Sequence, residues 1–178
     1  MRYYFAPLEG VTGAAFRQVH RRFFPETDRY YMPFLSPTGD HCFTPRQLRE
    51  AAPEHNEGVP CVPQLMTRNA EDFLWAAGEL RAMGYDEVDL NLGCPSGTVT
   101  AKKKGAGFLS VPEELDAFLD TVFSRSPLPV SLKTRLGMHS PEEFPRLLDI
   151  YAKYPVAELI VHPRVRDDFY RHPVRLED

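Results

Sequence analysis

The chain has 178 residues, enough for one domain with a sizeable core and short for two. Its 43% hydrophobic and 26% charged residues are ordinary for a globular protein, and no apolar run is long enough to span a bilayer, so no membrane partner is expected. A net charge of −4 excludes a global basic field, so any nucleic acid has to be met by a local patch.

The start "MRYYFAPLEG" lacks the apolar centre of a secretory leader, which makes a cytoplasmic location the expectation. A strand is expected at 3–7 ("YYFAP"), followed by "APLEGVTGAAFR" (6–17), whose proline and two glycines read as a loop with a close backbone approach. Strands follow at 28–35 ("DRYYMPFL") and 61–66 ("CVPQLM"). A helix is expected from about Thr67 to Gly84, with Phe73, Ala76, Ala77, Leu80 and Met83 facing inward. The strand at 87–93 ("EVDLNLG") stops at Gly93-Cys94-Pro95, and "TVTAKKKGAG" (98–107) follows it. Ser110 and Glu113, then Ser140 and Glu143, each fit a Ser-x-x-Glu capping box with a proline in the first turn. The first box opens a helix with Leu115, Phe118, Leu119, Val122 and Phe123 on one face; the second opens one with Phe144, Leu147, Leu148 and Tyr151. Strands at 129–135 ("PVSLKTR") and 157–164 ("AELIVHPR") complete the series.

Strand alternating with helix implies a parallel sheet with right-handed crossovers. A (β/α)₈ barrel of about 250 residues uses roughly 31 per unit. The expected fold is therefore α/β, a TIM-type barrel present as six of its eight units, in a single partial catalytic domain over 1–178. A complete six-strand open α/β domain is the alternative.

Side chains alternate faces along a strand, which exposes a polar stripe. Ser131, Lys133 and Arg135 share one face; His162 and Arg164 share a face with Ile160; Asp89 and Asn91 alternate with leucines; Gln64 lies near the end of its strand. The apolar face meets the helices, so the polar groups point inward and collect at the carboxyl end, where barrel active sites lie. Burying them without a ligand or mutual partners is costly. A buried polar network serving only specificity is the alternative. Lys102, Lys103 and Lys104 fall on the same rim, where they either steer an anionic polymer or form a solvated surface. The cysteines Cys42, Cys61 and Cys94 are widely separated with no Cys-x-x-Cys pair, which argues against a metal site or a disulfide framework. Cys94 reads either as a buried small hydrophobe or as a rim thiol, and the Gly-Cys-Pro strand stop favours the rim.

The "APLEGVT…FR" opening, "PQLM", "DLNLGCP" with "KKKGAGFL", "SLKTRLG" and "LIVHPRVRDDFY" together resemble the dihydrouridine synthases, flavin enzymes that reduce uridine in transfer RNA. The resemblance implies FMN as cofactor, NADPH or NADH as reductant and tRNA as partner. It implies that Cys94 is the catalytic proton donor to uracil C5 while hydride reaches C6, which requires a thiol that keeps its proton. It implies a flavin lysine at Lys133, with an ion pair to Asp89 as its bland alternative. It further implies flavin contacts from Gln64, His162 and the backbone of Pro7, Leu8 and Glu9. Substrate contacts are implied for Asn91, Arg135 and Arg164, with Lys102, Lys103 and Lys104 near the RNA. The family commonly has a small residue where this chain has Glu9, so Glu9 is expected to turn away or meet an arginine. The base has to leave the RNA stack to reach the flavin.

The family pattern continues with two more strands and a helical RNA-binding domain that this sequence does not contain. Weak flavin retention is therefore expected, and self-association through open barrel edges. A dihydroorotate-dehydrogenase-like enzyme acting on a free pyrimidine, and an inactive oligomerising fragment, are the alternatives.

Overall fold

Prolines bracket most of the apolar runs and set the lengths of the strands. In the computed structural model, which describes residues 1–176, β1 is Tyr4–Phe5, β2 Arg29–Tyr31, β3 Cys61–Val62, β4 Gln64–Leu65, β5 Val88–Leu92, β6 Val130–Arg135 and β7 Leu159–His162. Every expected strand is present, in order, and each is shorter than its sequence run. A proline has no N–H to give the ladder. Pro7, Pro33, Pro129 and Pro163 accordingly lie outside the strands, and Pro63 splits the 61–66 run in two.

All pairings are parallel, in the orders β1-β2-β3 and β4-β5-β6-β7. The two sets form one path around Pro63. The Asp89 amide donates to the Pro63 carbonyl at 2.8 Å, and Leu35 bridges to Leu65. With β3 and β4 as one position, the sheet has the six strands expected of six βα units. It curves as a partial barrel and does not close. Among the described residues β1 and β7 do not pair; the Tyr4 hydroxyl reaches Glu158 Oε2 at 3.4 Å between them.

The helices are α1 (Ala14–Phe23), α2 (Pro45–Ala51), α3 (Ala70–Ala82), α4 (Gly97–Thr100), α5 (Pro112–Arg125) and α6 (Phe144–Tyr151). Three sequence expectations need correction. The loop expected over 6–17 ends at Gly13, where α1 begins. Ser110 does not cap α5: its hydroxyl donates to the Gly107 carbonyl at 2.7 Å and Val111 takes the N-cap position. In α6 Leu148 is exposed, and Ile150 is buried with Leu147 and Tyr151. The Ser140 box does form, with the Ser140 amide donating to Glu143 Oε1 at 2.9 Å. Helix α3 starts at an Asn69 cap and stops at Gly84, whose φ of +96° suits glycine.

The core lies between the outer sheet face (Leu65, Leu90, Leu92, Val130, Leu132) and α3 and α5 (Phe73, Leu80, Leu115, Leu119). The opposite sheet face is thereby left to the polar stripe. Among the described residues no helix is long and apolar enough to cross a membrane.

Candidate active site

The polar stripe does point inward, and the strand register decides which groups meet. Gln64 and Ser131 are both register partners of Asp89, and Asn91 is that of Lys133. Asp89, fully buried, accepts from Gln64 Nε2 at 2.6 Å and from Ser131 Oγ at 2.9 Å. Burial pushes its carboxyl up to about 7, against the pull of those two hydrogen bonds and of the Lys133 charge. The Lys133–Asp89 ion pair considered from the sequence does not form; among the described residues Lys133 Nζ has no hydrogen-bonding or ion-pair partner. Burial holds the Lys133 ammonium below its ordinary range, with Asp89 opposing and Arg135 reinforcing the shift.

The network continues upward to the backbone of Cys94. Gln64 Oε1 accepts from Asn91 Nδ2 at 2.7 Å, and Asn91 Oδ1 accepts from the amides of Gly93 (3.1 Å) and Cys94 (2.9 Å). The Cys94 carbonyl accepts from the Ala106 amide at 3.1 Å. Gly105, at φ +54°, sits so close that a Cβ there would lie 2.9 Å from Cys94 Cβ. Backbone contacts from two sides thus fix Cys94, while its side chain stays partly exposed at the strand end.

Arg135 is 1% exposed; its Nε and Nη1 bond the chain itself, while its buried Nη2 has no hydrogen-bond partner among the described residues. Its Nε bonds the Gly93 carbonyl at 2.8 Å, and its Nη1 bonds the carbonyls of Val165 (3.0 Å) and Phe169 (3.1 Å). The Tyr170 ring lies 5.3 Å from its guanidinium carbon. Arg135 therefore clamps the segment after β7 onto the strand end that carries Cys94. Arg166 adds a bond to Thr100 Oγ1 at 3.1 Å. His162 is half-buried; burial and the charges of Arg135, Lys133 and Arg164 push it down to about 4. Arginine can only donate, so His162 Nε2 accepts from Arg164 Nη1 at 2.9 Å and the ring's Nδ1 carries the proton. Arg164 Nε is held by the His172 carbonyl at 2.6 Å.

On the opposite rim Pro7, Leu8 and Glu9 form a tight turn. The Leu8 amide donates to Thr12 Oγ1 at 2.8 Å, and Gly10 supplies a φ of +78°. Glu9 meets Arg46 at 2.9 Å, in keeping with the expectation for a carboxylate at this place. The lysine triplet does not act as a unit. Lys103 turns back to Glu114 at 3.0 Å, whereas Lys102 and Lys104 make no ion pair among the described residues. A cleft of about 920 Å³ lies beside the 7–9 turn, lined by Glu9 and Gly10 and by residues of α1, 33–36 and α2. None of Cys94, Lys133 or His162 lines it, so convergent chemistry places the candidate site at the barrel mouth instead.

Sequence reasoning placed Asp89 on the polar face only as an alternative ion-pair partner of Lys133, and did not single out Ser131 or Tyr170 as partners. It also passed over Arg17, fully buried between Glu50, the Thr12 carbonyl (2.9 Å) and Asn56 Oδ1 (2.6 Å). An arginine following Phe16 on a helix with exposed aromatics carries no signal in the hydrophobic pattern.

A sequence profile of the family described as "Dihydrouridine synthase (Dus)" matches residues 4–178. The chain belongs to the dihydrouridine synthase family. A "Probable tRNA-dihydrouridine synthase 1" of Synechocystis is 33% identical over 96% of this chain and 47% of its own length. A "Probable tRNA-dihydrouridine synthase" of Staphylococcus aureus is 32% identical over 92% of this chain and 49% of its own. The chain therefore spans about half the length of the curated relatives it matches. Among solved structures, a GH18 chitinase from Pseudoalteromonas aurantia aligns over 97% of this chain and 68% of its own at a TM-score of 0.52. At 15% identity that likeness is one of fold alone.

Proposed function

We propose that this chain carries the thiol and cofactor-facing part of an FMN-dependent enzyme that reduces uridine in tRNA to dihydrouridine. The observation that carries the reading is Lys133, a partly buried cation with no hydrogen-bond or ion-pair partner among the described residues, near the strand ends that carry Cys94 and a neutral histidine. A buried ammonium without a counter-charge is costly, and an electron-rich flavin edge is an anionic partner for it. The donor set therefore fits the group. Lys133 would hold it, with the Nδ1–H of His162 and the backbone of Pro7, Leu8 and Glu9.

Bound FMN, reduced by NADPH or NADH, supplies the hydride that saturates uracil C6. Cys94 gives its Sγ–H proton to C5, and the resulting thiolate regains a proton from solvent. Asn91 keeps the thiol's backbone in place, and Arg135 holds the segment 163–176 across the strand ends. Lys102, Lys104 and Arg164 face the RNA and attract its phosphates locally despite the overall negative charge. The RNA must present an unstacked uridine to this mouth. Family membership and the names of the relatives support the substrate; a free pyrimidine is the competing choice.

The test is to mix the chain with FMN, NADPH and unmodified tRNA, and to measure dihydrouridine by mass spectrometry of digested RNA. Product from the natural chain and none from Cys94→Ala supports the reading; reduction of free uracil or orotate in place of tRNA overturns it. Flavin retention after purification is expected to be weak, and Lys133→Met to weaken binding of added FMN about ten-fold, the weight of a charge-assisted contact. The edges of β1 and β7, unpaired among the described residues, are the surfaces expected to self-associate, read by sedimentation velocity.

A further inference from the structure

The strongest unassigned feature is the order in which donors and acceptors follow one another beneath Cys94. Asp89, Gln64 and Asn91 are at 0%, 0% and 8% exposure, so water cannot substitute freely for any of their bonds. Asp89 turns an acceptor oxygen to Gln64 whether it is ionised or carries its proton on the oxygen beside Ser131. Gln64 must therefore turn its amide nitrogen to Asp89 (2.6 Å), which leaves its oxygen for Asn91. Asn91 must in turn meet that oxygen with its nitrogen (2.7 Å), which leaves its own oxygen for the amides of Gly93 and Cys94. Each amide can be flipped with little change of shape, and each flip would place donor against donor. The Gly93 and Cys94 amides impose this order from above, and the acceptor at position 89 closes it from below by giving Gln64 Nε2 its partner.

We propose that Asp89 is a positioning residue that, by fixing the orientation of the Gln64 and Asn91 amides, holds the backbone of Cys94 in place for proton delivery. This rests on the reading of Cys94 as proton donor, but the geometry stands without flavin or RNA. Ser131 completes the polarity from the other side, since its hydroxyl donates to the second carboxylate oxygen at 2.9 Å. An asparagine at 89 can keep the same order. Its oxygen would face Gln64, its nitrogen would face Ser131, and the serine hydroxyl would accept instead of donate. A leucine of similar size cannot.

The test compares Asp89→Leu with Asp89→Asn in the full chain. The readout is the rate of iodoacetamide alkylation at Cys94, peptide-mapped by mass spectrometry and divided by the rate at exposed Cys42 in the same molecule. Loss of the amide order frees the Cys94 turn, so the ratio should rise about five-fold in Asp89→Leu, the weight of one hydrogen bond. Asp89→Asn should stay within about two-fold of the natural chain, since its acceptor is kept. Equal ratios in all three proteins overturn the proposal. So does an Asn variant that behaves like the Leu variant, because charge and not orientation would then be responsible. If Asp89→Leu fails to fold, Gln64→Met cuts the same chain one link later and must raise the ratio likewise; an unchanged ratio there also overturns it. The alkylation assay is independent of the RNA assay on Cys94→Ala, so either idea can fail while the other stands.

Discussion

Replacing Asp89 by asparagine should change the pH dependence of stability in a direction that its burial dictates. The carboxyl titrates at about 7 in the folded chain, against about 3.9 for an ordinary aspartate. A group whose folded pKa is raised holds its proton more tightly in the native state. Its contribution is therefore complete below the ordinary pKa and is lost as pH rises through the folded one. Between pH 5.5 and 8 the unfolded state is already ionised, while the native state gives up its proton only near pH 7. The loss over that interval is about one and a half pKa units, or about 2 kcal/mol. Asparagine has no such proton to lose. Urea denaturation of both proteins at pH 5.5 and 8 should show the stability of Asp89→Asn relative to the natural chain rising by about 2 kcal/mol at the higher pH. Histidines that titrate in the same interval are common to both proteins and cancel in the difference. Parallel stability profiles would refute the argument, because they would mean that Asp89 is already ionised well below pH 5.5.

Three further outcomes follow from packing and pairing. Arg17→Met should lose about 3 kcal/mol in denaturant melts, since Asn56 Oδ1 and the inner Glu50 oxygen lose their shared cation; a loss too small to resolve would show that both re-pair with water. Gly107→Ala should cost about 2–3 kcal/mol, because its Cβ would lie 2.6 Å from the Thr100 backbone, while Gly97→Ala in the same loop, with nothing within 4 Å, should leave stability nearly unchanged. Equal effects at the two glycines would contradict the close packing of this loop. Arg46→Ala should leave the denaturation midpoint within error despite its ion pair with Glu9, as both side chains are well exposed; a clear shift would mean that the pair braces the 7–9 turn.

The alternation of strands and helices was legible because parallel βα units write it into hydrophobic period and turn residues. Parity alone also placed Asp89, Asn91, Ser131, Lys133 and Arg135 on the inner face. Partner choice was not legible, because it depends on register. Asp89 lies level with Gln64 and Ser131, whereas Lys133 lies level with Asn91, so the carboxylate meets an amide and a hydroxyl and not the lysine. Helix α1 was missed for a related reason. It buries Arg17 and exposes Val19 and Phe23, the reverse of the pattern that a periodicity argument looks for. The Ser110 box failed because residues 105–110 wind into a buried 3₁₀ turn that takes the serine hydroxyl for itself.

Residue type at the mouth says less about ligand contact than spare hydrogen-bonding capacity does. The side-chain oxygen of Gln64 and both ends of the Asn91 amide are engaged inside the chain, and Arg135 is spent on three carbonyls through Nε and Nη1. These groups set the shape of the site. Lys133 Nζ, Arg135 Nη2, the Nδ1–H of His162 and the Cys94 thiol keep capacity that is not used among the described residues. A preorganised site needs both kinds, because a donor aimed at a ligand stays aimed only when its neighbours have no alternative arrangement. Asp89 lies at the base of that logic. As an acceptor below Gln64 it closes the order of the amides above it, and that order ends at the backbone that carries the thiol.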